Sequence, residues 1–246
     1  MNDEFNRLAL VTGGSQGIGR AVCRALLSED YRVVFLDLNR ERAAEFLAET
    51  EGGRLHFLPC DVSDPAQVNA ACAQVLEEFG TVSVLVNNAG IQTHVPFLEM
   101  SEEVWRCTID VDLNSMFFVS RALAPAMVEQ GYGRIINMSS MSALRGSNRH
   151  VHYNTAKAGV LGFTRGLSYE LGPHGITVNA ICPGTVETEI IQDYIDAKRD
   201  SWLSQMHVKR LGVPEDIANV VTFLASPASE WITGQALHVN GGILTP

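Results

Sequence analysis

Short runs of consecutive apolar residues alternate along the chain with longer stretches whose apolar positions recur every three or four residues. Seven such runs, at 8–11, 32–36, 55–58, 84–86, 134–138, 177–181 and 236–239, have the largely apolar character of strands covered on both faces. Helical periodicity marks 18–27, where Ile18, Val22, Ala25 and Leu26 share a face, and also 40–50, 68–79, 102–129 and 153–171. A buried strand followed by an amphipathic helix, repeated in this way, predicts an α/β architecture: one doubly wound parallel sheet with helices on both faces. No Pro/Gly/Ser-rich linker, low-complexity tract or repeat divides the chain, so a single domain over 1–246 is expected.

Composition narrows the class. The 246 residues are 46% hydrophobic and 19% charged, too apolar for a disordered chain and ample for a core. Eighteen basic against 28 acidic residues leave a net charge of −10, the wrong sign for nucleic acid or an anionic membrane surface. No apolar run approaches the ~18–20 residues that span a bilayer. The polar, acidic start Met1-Asn2-Asp3-Glu4 is unlike a secretory leader. Five scattered cysteines without a CxxC pair point to reduced thiols, no metal site and a cytoplasmic protein.

The first apolar run leads into Thr12-Gly13-Gly14-Ser15-Gln16-Gly17-Ile18-Gly19, at the junction with the first helix. Glycines permit a tight turn there. They also let backbone N–H groups and the positive end of the helix dipole approach a pyrophosphate. Strand, glycine turn and helix in this order predict a dinucleotide site with Gly13, Ser15, Gln16, Gly17, Ile18 and Gly19 against the ligand. Asp37 ends the second strand, 18 residues past Gly19, and Leu38 beside it is assigned to the same ligand. A carboxylate at that point accepts hydrogen bonds from both ribose hydroxyls and repels a 2′-phosphate, and no Arg or Lys stands in the glycine turn. NAD is therefore expected as cofactor over NADP.

Tyr153 and Lys157, four apart at the start of a helix, share a face. Ser140 lies just past the fifth strand, where doubly wound sheets build their sites. Y-x-x-x-K alone is a weak signal; joined to a serine and a dinucleotide turn it is a specific one. With Asp61-Val62, Asn87-Asn88-Ala89-Gly90 and Pro183-Gly184-Thr185-Val186-Glu187-Thr188, these residues make the sequence resemble a compact short-chain dehydrogenase/reductase over essentially its whole length. The resemblance implies a single-domain Rossmann fold, hydride transfer between a nicotinamide and a carbonyl or alcohol, and a homotetramer. It implies Asp61 and Val62 at the adenine, with Asn87, Asn88, Ala89 and Gly90 along the cofactor cleft. Val186 and Thr188 would hold the carboxamide, with Pro183 and Gly184 also against the cofactor. Ser140 would orient the substrate oxygen, Tyr153 would be the acid/base, and Lys157 would hold the nicotinamide ribose.

Physical chemistry supports the same roles. An unperturbed phenol, with a pKa of ~10, is a poor base at pH 7. An ammonium ~4 Å away, at an effective dielectric of ~20, favours phenolate by ~4 kcal/mol, so Lys157 is expected to make Tyr153 more acidic. Ser140 can donate to the developing alkoxide, and Ser139 and Ser142 are the other hydroxyls that could do so. One position departs from the family pattern. Asp112 stands 28 residues before Ser140, where relatives usually carry asparagine, and is counted among the catalytic candidates; Asn114 lies two residues on, on another helical face. A carboxylate at 112 can pair with Lys157 and raise the Tyr153 pKa, or it can cap or kink its own helix.

The segment 145–152 leads into Tyr153 with Arg145, Arg149, His150 and His152, a set able to bind a carboxylate or a polyol, and Gln92, His94 and Ser142 are further candidate substrate residues. The stretch 187–210, with Ile190, Ile191, Tyr194, Ile195 and Trp202 among charges, reads as an amphipathic lid. The expected activity is NAD(H)-dependent interconversion of a secondary alcohol and a ketone on a small molecule: a sugar, polyol, hydroxy acid or cyclic alcohol. Reduction of a 3-oxoacyl chain on acyl carrier protein is the rival enzyme reading. The acidic net charge, Asp37, and Gly131 and His174 at positions where carrier-protein reductases tend to have arginine speak against it. A non-catalytic NAD-sensing protein is the rival of another class.

Overall fold

The computed structural model of the chain describes residues 7–189 and 191–245. Seven parallel strands form one sheet: β1 (Leu8–Thr12), β2 (Arg32–Asp37), β3 (Leu55–Pro59), β4 (Val84–Asn87), β5 (Gly133–Met138), β6 (Ile176–Pro183) and β7 (Ala236–Val239). Their order is β3-β2-β1-β4-β5-β6-β7, and every neighbouring pair is parallel. The helices are α1 (Gly17–Ser28), α2 (Arg40–Glu49), α3 (Pro65–Glu78), α4 (Glu102–Ile109) and α5 (Ser115–Gln130). They continue as the single turn α6 (Ser142–Arg145), α7 (Val151–Leu171), α8 (Gln192–Gln205) and α9 (Pro214–Ala225).

All seven strands coincide with the apolar runs, because alternate residues of each strand feed two separate cores. Val11, Val33, Phe35, Val86 and Ile136 pack with α1, α2 and α9 on one face. Leu10, Val34, Leu36, Leu85 and Ile135 pack with α3 and α5 on the other. Each buried Val, Leu or Phe side chain contributes about 1.5–3 kcal/mol relative to exposure, and the polar residues buried on the strands, Asn87 and Asn137 among them, are paired with one another.

Three elements depart from the periodicity. The predicted helix 102–129 is two helices, α4 and α5, joined by a π-helical turn at Asp110–Asn114 that includes the buried Asp112. Such turns insert a residue and turn side chains out of helical register. α3 starts at Pro65, earlier than its apolar period, because the Asp64 side chain accepts from the Ala66 and Gln67 N–H groups. α9 has no counterpart among the predicted helices, although Pro214 at its first turn, Glu215 and Asp216 after it, and buried Ile217, Val221 and Leu224 are ordinary helix signals.

The chain leaves β1 toward β2 on one side and places β4 on the other, so the connections diverge there and open a crevice at the carboxyl ends of the strands. A cavity of about 790 Å³ lies across those ends. No helix among the described residues is long and apolar enough to cross a membrane.

Candidate active site

β1 runs directly into the glycine turn. Gly13 has φ +67° and Gly17 φ +50°, a region that strains any residue with a side chain. A Cβ on Gly13 would sit 2.9 Å from the Ala89 Cα. One on Gly19 would overlap the Gly13 carbonyl oxygen and come within 2.6 Å of the Asn88 side-chain nitrogen. The turn is pinned to the end of β4: the Asn88 and Ala89 N–H groups donate to Thr12 Oγ1, and the Asn88 amide donates to the Thr12 and Gly13 carbonyls, each at 3.0 Å. Gly13, Gln16, Gly17, Ile18 and Gly19 form one wall of the cavity, as expected.

Two sequence expectations need correction here. Ser15 lies beneath the turn, off the cavity wall; its buried hydroxyl has no hydrogen-bond partner among the described residues. Its N–H is what serves the site, donating to Asp37 Oδ2 at 3.0 Å. Asn87 is also off the wall, because its amide donates inward to Ser120 Oγ at 3.2 Å and Asn137 Oδ1 at 2.8 Å. The next three residues, Asn88, Ala89 and Gly90, do line the cavity.

At the far end of the same wall, Asp37 accepts from the Ser15 N–H and, at 2.9 Å, from the Asn39 N–H, which fixes the carboxylate at the tip of β2. Asp61 accepts from the Ser63 N–H at 2.9 Å and its hydroxyl at 2.6 Å. Leu38 and Val62 lie beside them, and Pro183, Gly184, Val186 and Thr188 line the side that follows β6. These residues fit a nicotinamide dinucleotide: the cradle at Gly13 and Gly19 is one that a Cβ would fill, and it adjoins the amino end of α1.

Ser140, Tyr153 and Lys157 meet on the cavity wall at the carboxyl end of β5. The buried Lys157 Nζ donates to the Met138 carbonyl at 3.1 Å and lies 5.6 Å from the centre of the Tyr153 ring. Ser139 is excluded as the orienting hydroxyl, since it donates to the Lys157 carbonyl at 2.8 Å. Ser140 Oγ accepts from the Ser142 N–H at 3.1 Å, which leaves its own proton for the site. Desolvation raises the Tyr153 phenol above its ordinary pKa, the Asp112 charge adds to the rise, and a hydrogen bond with Ser140 opposes it. The expected acidification of Tyr153 is thus not the direction the site imposes: burial and the Asp112 charge set it instead.

Asp112 is off the wall, fully buried behind Lys157, with Oδ2 3.8 Å from Nζ. Its Oδ1 accepts from the Ile91 N–H at 2.7 Å, while Oδ2 has no hydrogen-bond donor among the described residues. Burial raises its carboxyl pKa against the pull of Lys157 and that N–H. The side chain reaches across to Ile91 and Lys157, so pairing with the lysine is the alternative the geometry supports, not capping. Asp112→Asn removes the charge at constant size. The phenol then ionises more readily, and the rising limb of alcohol oxidation should move to lower pH by on the order of one unit. Superimposable pH–rate profiles for the two proteins would refute the coupling.

Gln92, His94, Ser142, Arg145 and His150 all line the cavity around Tyr153. Arg149, expected from the same segment, joins them, and so does Lys198, which sequence reasoning did not assign to the site; His152 is buried off the wall, with its Nε2 2.8 Å from Thr93 Oγ1. Lys198 gave no signal, because only the folded position of α8 brings it there. Of the lid stretch, Ile191 and Trp202 reach the cavity, whereas Ile195 packs with Met206 and Leu211. Ile190 and the side chain of Tyr194 lie outside the described residues.

The model of the family described as enoyl-(acyl carrier protein) reductase matches residues 13–244. The short-chain reductase protein NovJ of Streptomyces niveus is 42% identical over 244 residues, which cover 96% of this chain and 93% of NovJ. The 3-oxoacyl-(acyl-carrier-protein) reductase FabG of Escherichia coli strain K12 is 39% identical over 243 residues, 99% of each chain. Among solved structures, a short-chain dehydrogenase/reductase described as glucose/ribitol dehydrogenase from Brucella melitensis superposes with a TM-score of 0.92 at 34% identity, over 100% of both chains. The protein gox2181 superposes with a TM-score of 0.93 at 35% identity, over 97% of this chain and 95% of its own. With its parallel seven-stranded sheet and these relatives over nearly its full length, the chain belongs to the short-chain dehydrogenase/reductase family of oxidoreductases.

Proposed function

We propose that the chain interconverts a ketone and a secondary alcohol, with Tyr153 as acid/base and a nicotinamide dinucleotide held along residues 13–19. The observation that carries this reading is the convergence of Ser140, Tyr153 and Lys157 in the cavity that the glycine turn also lines. The dinucleotide, when bound, supplies the hydride chemistry. In reduction the Tyr153 hydroxyl gives its proton to the substrate oxygen; in oxidation the phenolate removes it. Ser140 donates to that oxygen while the Ser142 N–H holds its own. Lys157, buried between the Met138 carbonyl and Asp112, supplies the positive charge that favours phenolate. We read α8 as a lid, since Lys198 and Trp202 reach the cavity from it. Exposed Phe117, Tyr169 and Trp231 offer apolar surface that self-association would cover.

The fixed Asp37 carboxylate supports NAD over NADP, because a 2′-phosphate beside it would meet a charge of its own sign. A repulsion of ~1.4 kcal/mol is a factor of about ten, so kcat/KM with NADH should exceed that with NADPH by at least that much. A preference for NADPH would contradict this choice.

Two substrate readings follow from different observations. The relatives, 3-oxoacyl-(acyl-carrier-protein) reductases among them, favour a 3-oxoacyl thioester, the reading with the wider support. The imidazoles and guanidinium groups around Tyr153 favour a small polar ketone. Rates of NADH oxidation with a 3-oxobutanoyl thioester, set against a panel of polar ketones and sugars, separate the two. Failure to turn over any ketone or alcohol would contradict the proposed reaction.

A further inference from the structure

Charge is unevenly distributed along the cavity. Asp37 and Asp61 line it beside the ends of β2 and β3, whereas the cations Arg145, Arg149 and Lys198 line it around Tyr153, with the imidazoles of His94 and His150 among them. β2 is three strand spacings from β5 in the sheet order, about 14 Å at ~4.8 Å each. One end of the cavity is therefore anionic and the other cationic, in a molecule whose net charge is −10.

The cationic end is a built feature. His150 is buried, with its ring centre 4.1 Å from that of His94 and 6.1 Å from that of Tyr153. Ser147 Oγ lies 3.1 Å from its Nδ1 and Gln92 Nε2 3.4 Å from its Nε2, so the ring orientation is held on both edges. Arg149 has φ +64°, a left-handed conformation that is costly for a residue with a side chain. Its carbonyl accepts from the Val95 N–H at 2.9 Å, which clamps the loop after β4 to the segment that enters α7. Neither Arg145 nor Arg149 forms an ion pair with a carboxylate among the described residues.

These groups also act on one another. Burial, with His94, His152 and Lys198 nearby, pushes His150 down to about 4. Burial, Lys198, Arg149 and His152 likewise lower His94. With both imidazoles held neutral chiefly by burial, the positive charge at this end comes from Arg145, Arg149 and Lys198, and an anion would relieve it.

We propose that this cluster seats a carboxylate of the substrate, so that the group presented to Tyr153 belongs to an oxo or hydroxy acid. A neutral sugar or an esterified acyl chain would leave the cluster unmatched. The 6.1 Å between the His150 and Tyr153 ring centres puts the cluster and the phenol within reach of one small molecule. The inference rests on the ketone–alcohol reading above.

The test uses the unaltered chain, supplied with NADH and with NADPH. Rates are measured for 2-, 3- and 4-oxo acids, each beside its methyl ester, with neutral ketones as controls. At least one acid should exceed its ester in kcat/KM by about tenfold or more, chiefly through a lower KM. Arg149 is exposed, so Arg149→Gln should fold normally and bring the acid-to-ester ratio of kcat/KM down most of the way to one, chiefly by raising KM for the acid. Esters or thioesters reacting as well as the acids, or neutral ketones reacting while no acid does, would overturn the carboxylate seat and leave the ketone reading standing. No turnover of anything in the panel would overturn the ketone reading, and the seat with it.

Discussion

Tyr153→Phe should lower kcat about a thousandfold and leave dinucleotide affinity within a few-fold. Phenylalanine keeps the ring that stands 5.6 Å from Lys157 Nζ and 6.1 Å from the His150 ring, so packing on this wall survives. What is lost is one hydroxyl, and with it the group that gives or takes the proton at the substrate oxygen. Ser140 cannot replace it. Its oxygen already accepts from the Ser142 N–H, and an alcohol without a base beside it does not ionise near neutral pH. Steady-state rates, paired with a calorimetric titration of the dinucleotide, separate chemistry from binding. A variant that retains a tenth of the rate would remove Tyr153 from the proton step, and one that loses both rate and binding would point to a structural role instead.

Gly19→Ala should damage both the fold and the cofactor site. The added methyl group would overlap the Gly13 carbonyl oxygen and crowd Asn88, whose amide holds the glycine turn to β4. Neither neighbour can give way cheaply, because one is backbone and the other makes two hydrogen bonds. Overpacking of this kind costs about 1–3 kcal/mol, which at about 2–4 °C per kcal/mol in a domain of this size lowers Tm by roughly 2–12 °C. Dinucleotide affinity should fall at least tenfold in parallel, since the turn that must open is the wall itself. Gly162→Ala in α7 is the matched control. Its Cβ would meet nothing within 4 Å, so it should hold or slightly raise Tm by helix propensity alone. Equal melting behaviour for the two variants would show that the close approach at Gly19 carries no weight.

The strands were legible because a sheet buried on both faces writes its length directly as an apolar run, as at 32–36 and 84–86. The glycine turn and the Tyr153–Lys157 pair were legible for a different reason: local chain geometry fixes what those residues do. What stayed hidden depends on tertiary placement. Asn87 and Asn88 are neighbours of the same type, and only the alternation of β4 sends one into the core and the other to the cavity. Asp112 was visible as a departure from pattern, but its reach to Lys157 depends on a π-helical turn that periodicity cannot register. The direction of the Tyr153 shift was misjudged because a charge can be seen in sequence, whereas the loss of water around a phenol cannot. Lys198 reaches the site only through the fold of α8 across it.

The most direct measurement of the proposed chemistry is an ultraviolet difference titration of the five tyrosines, with and without saturating oxidised dinucleotide. Burial and the Asp112 charge hold the Tyr153 phenol above the ordinary range. A positively charged nicotinamide in the same cavity should reverse that. One tyrosine should then ionise at markedly lower pH when the dinucleotide is bound, and that transition should be missing from Tyr153→Phe. A titration that the dinucleotide leaves unchanged, or a shifted tyrosine that persists in the phenylalanine variant, would contradict the assignment of Tyr153 as the acid/base.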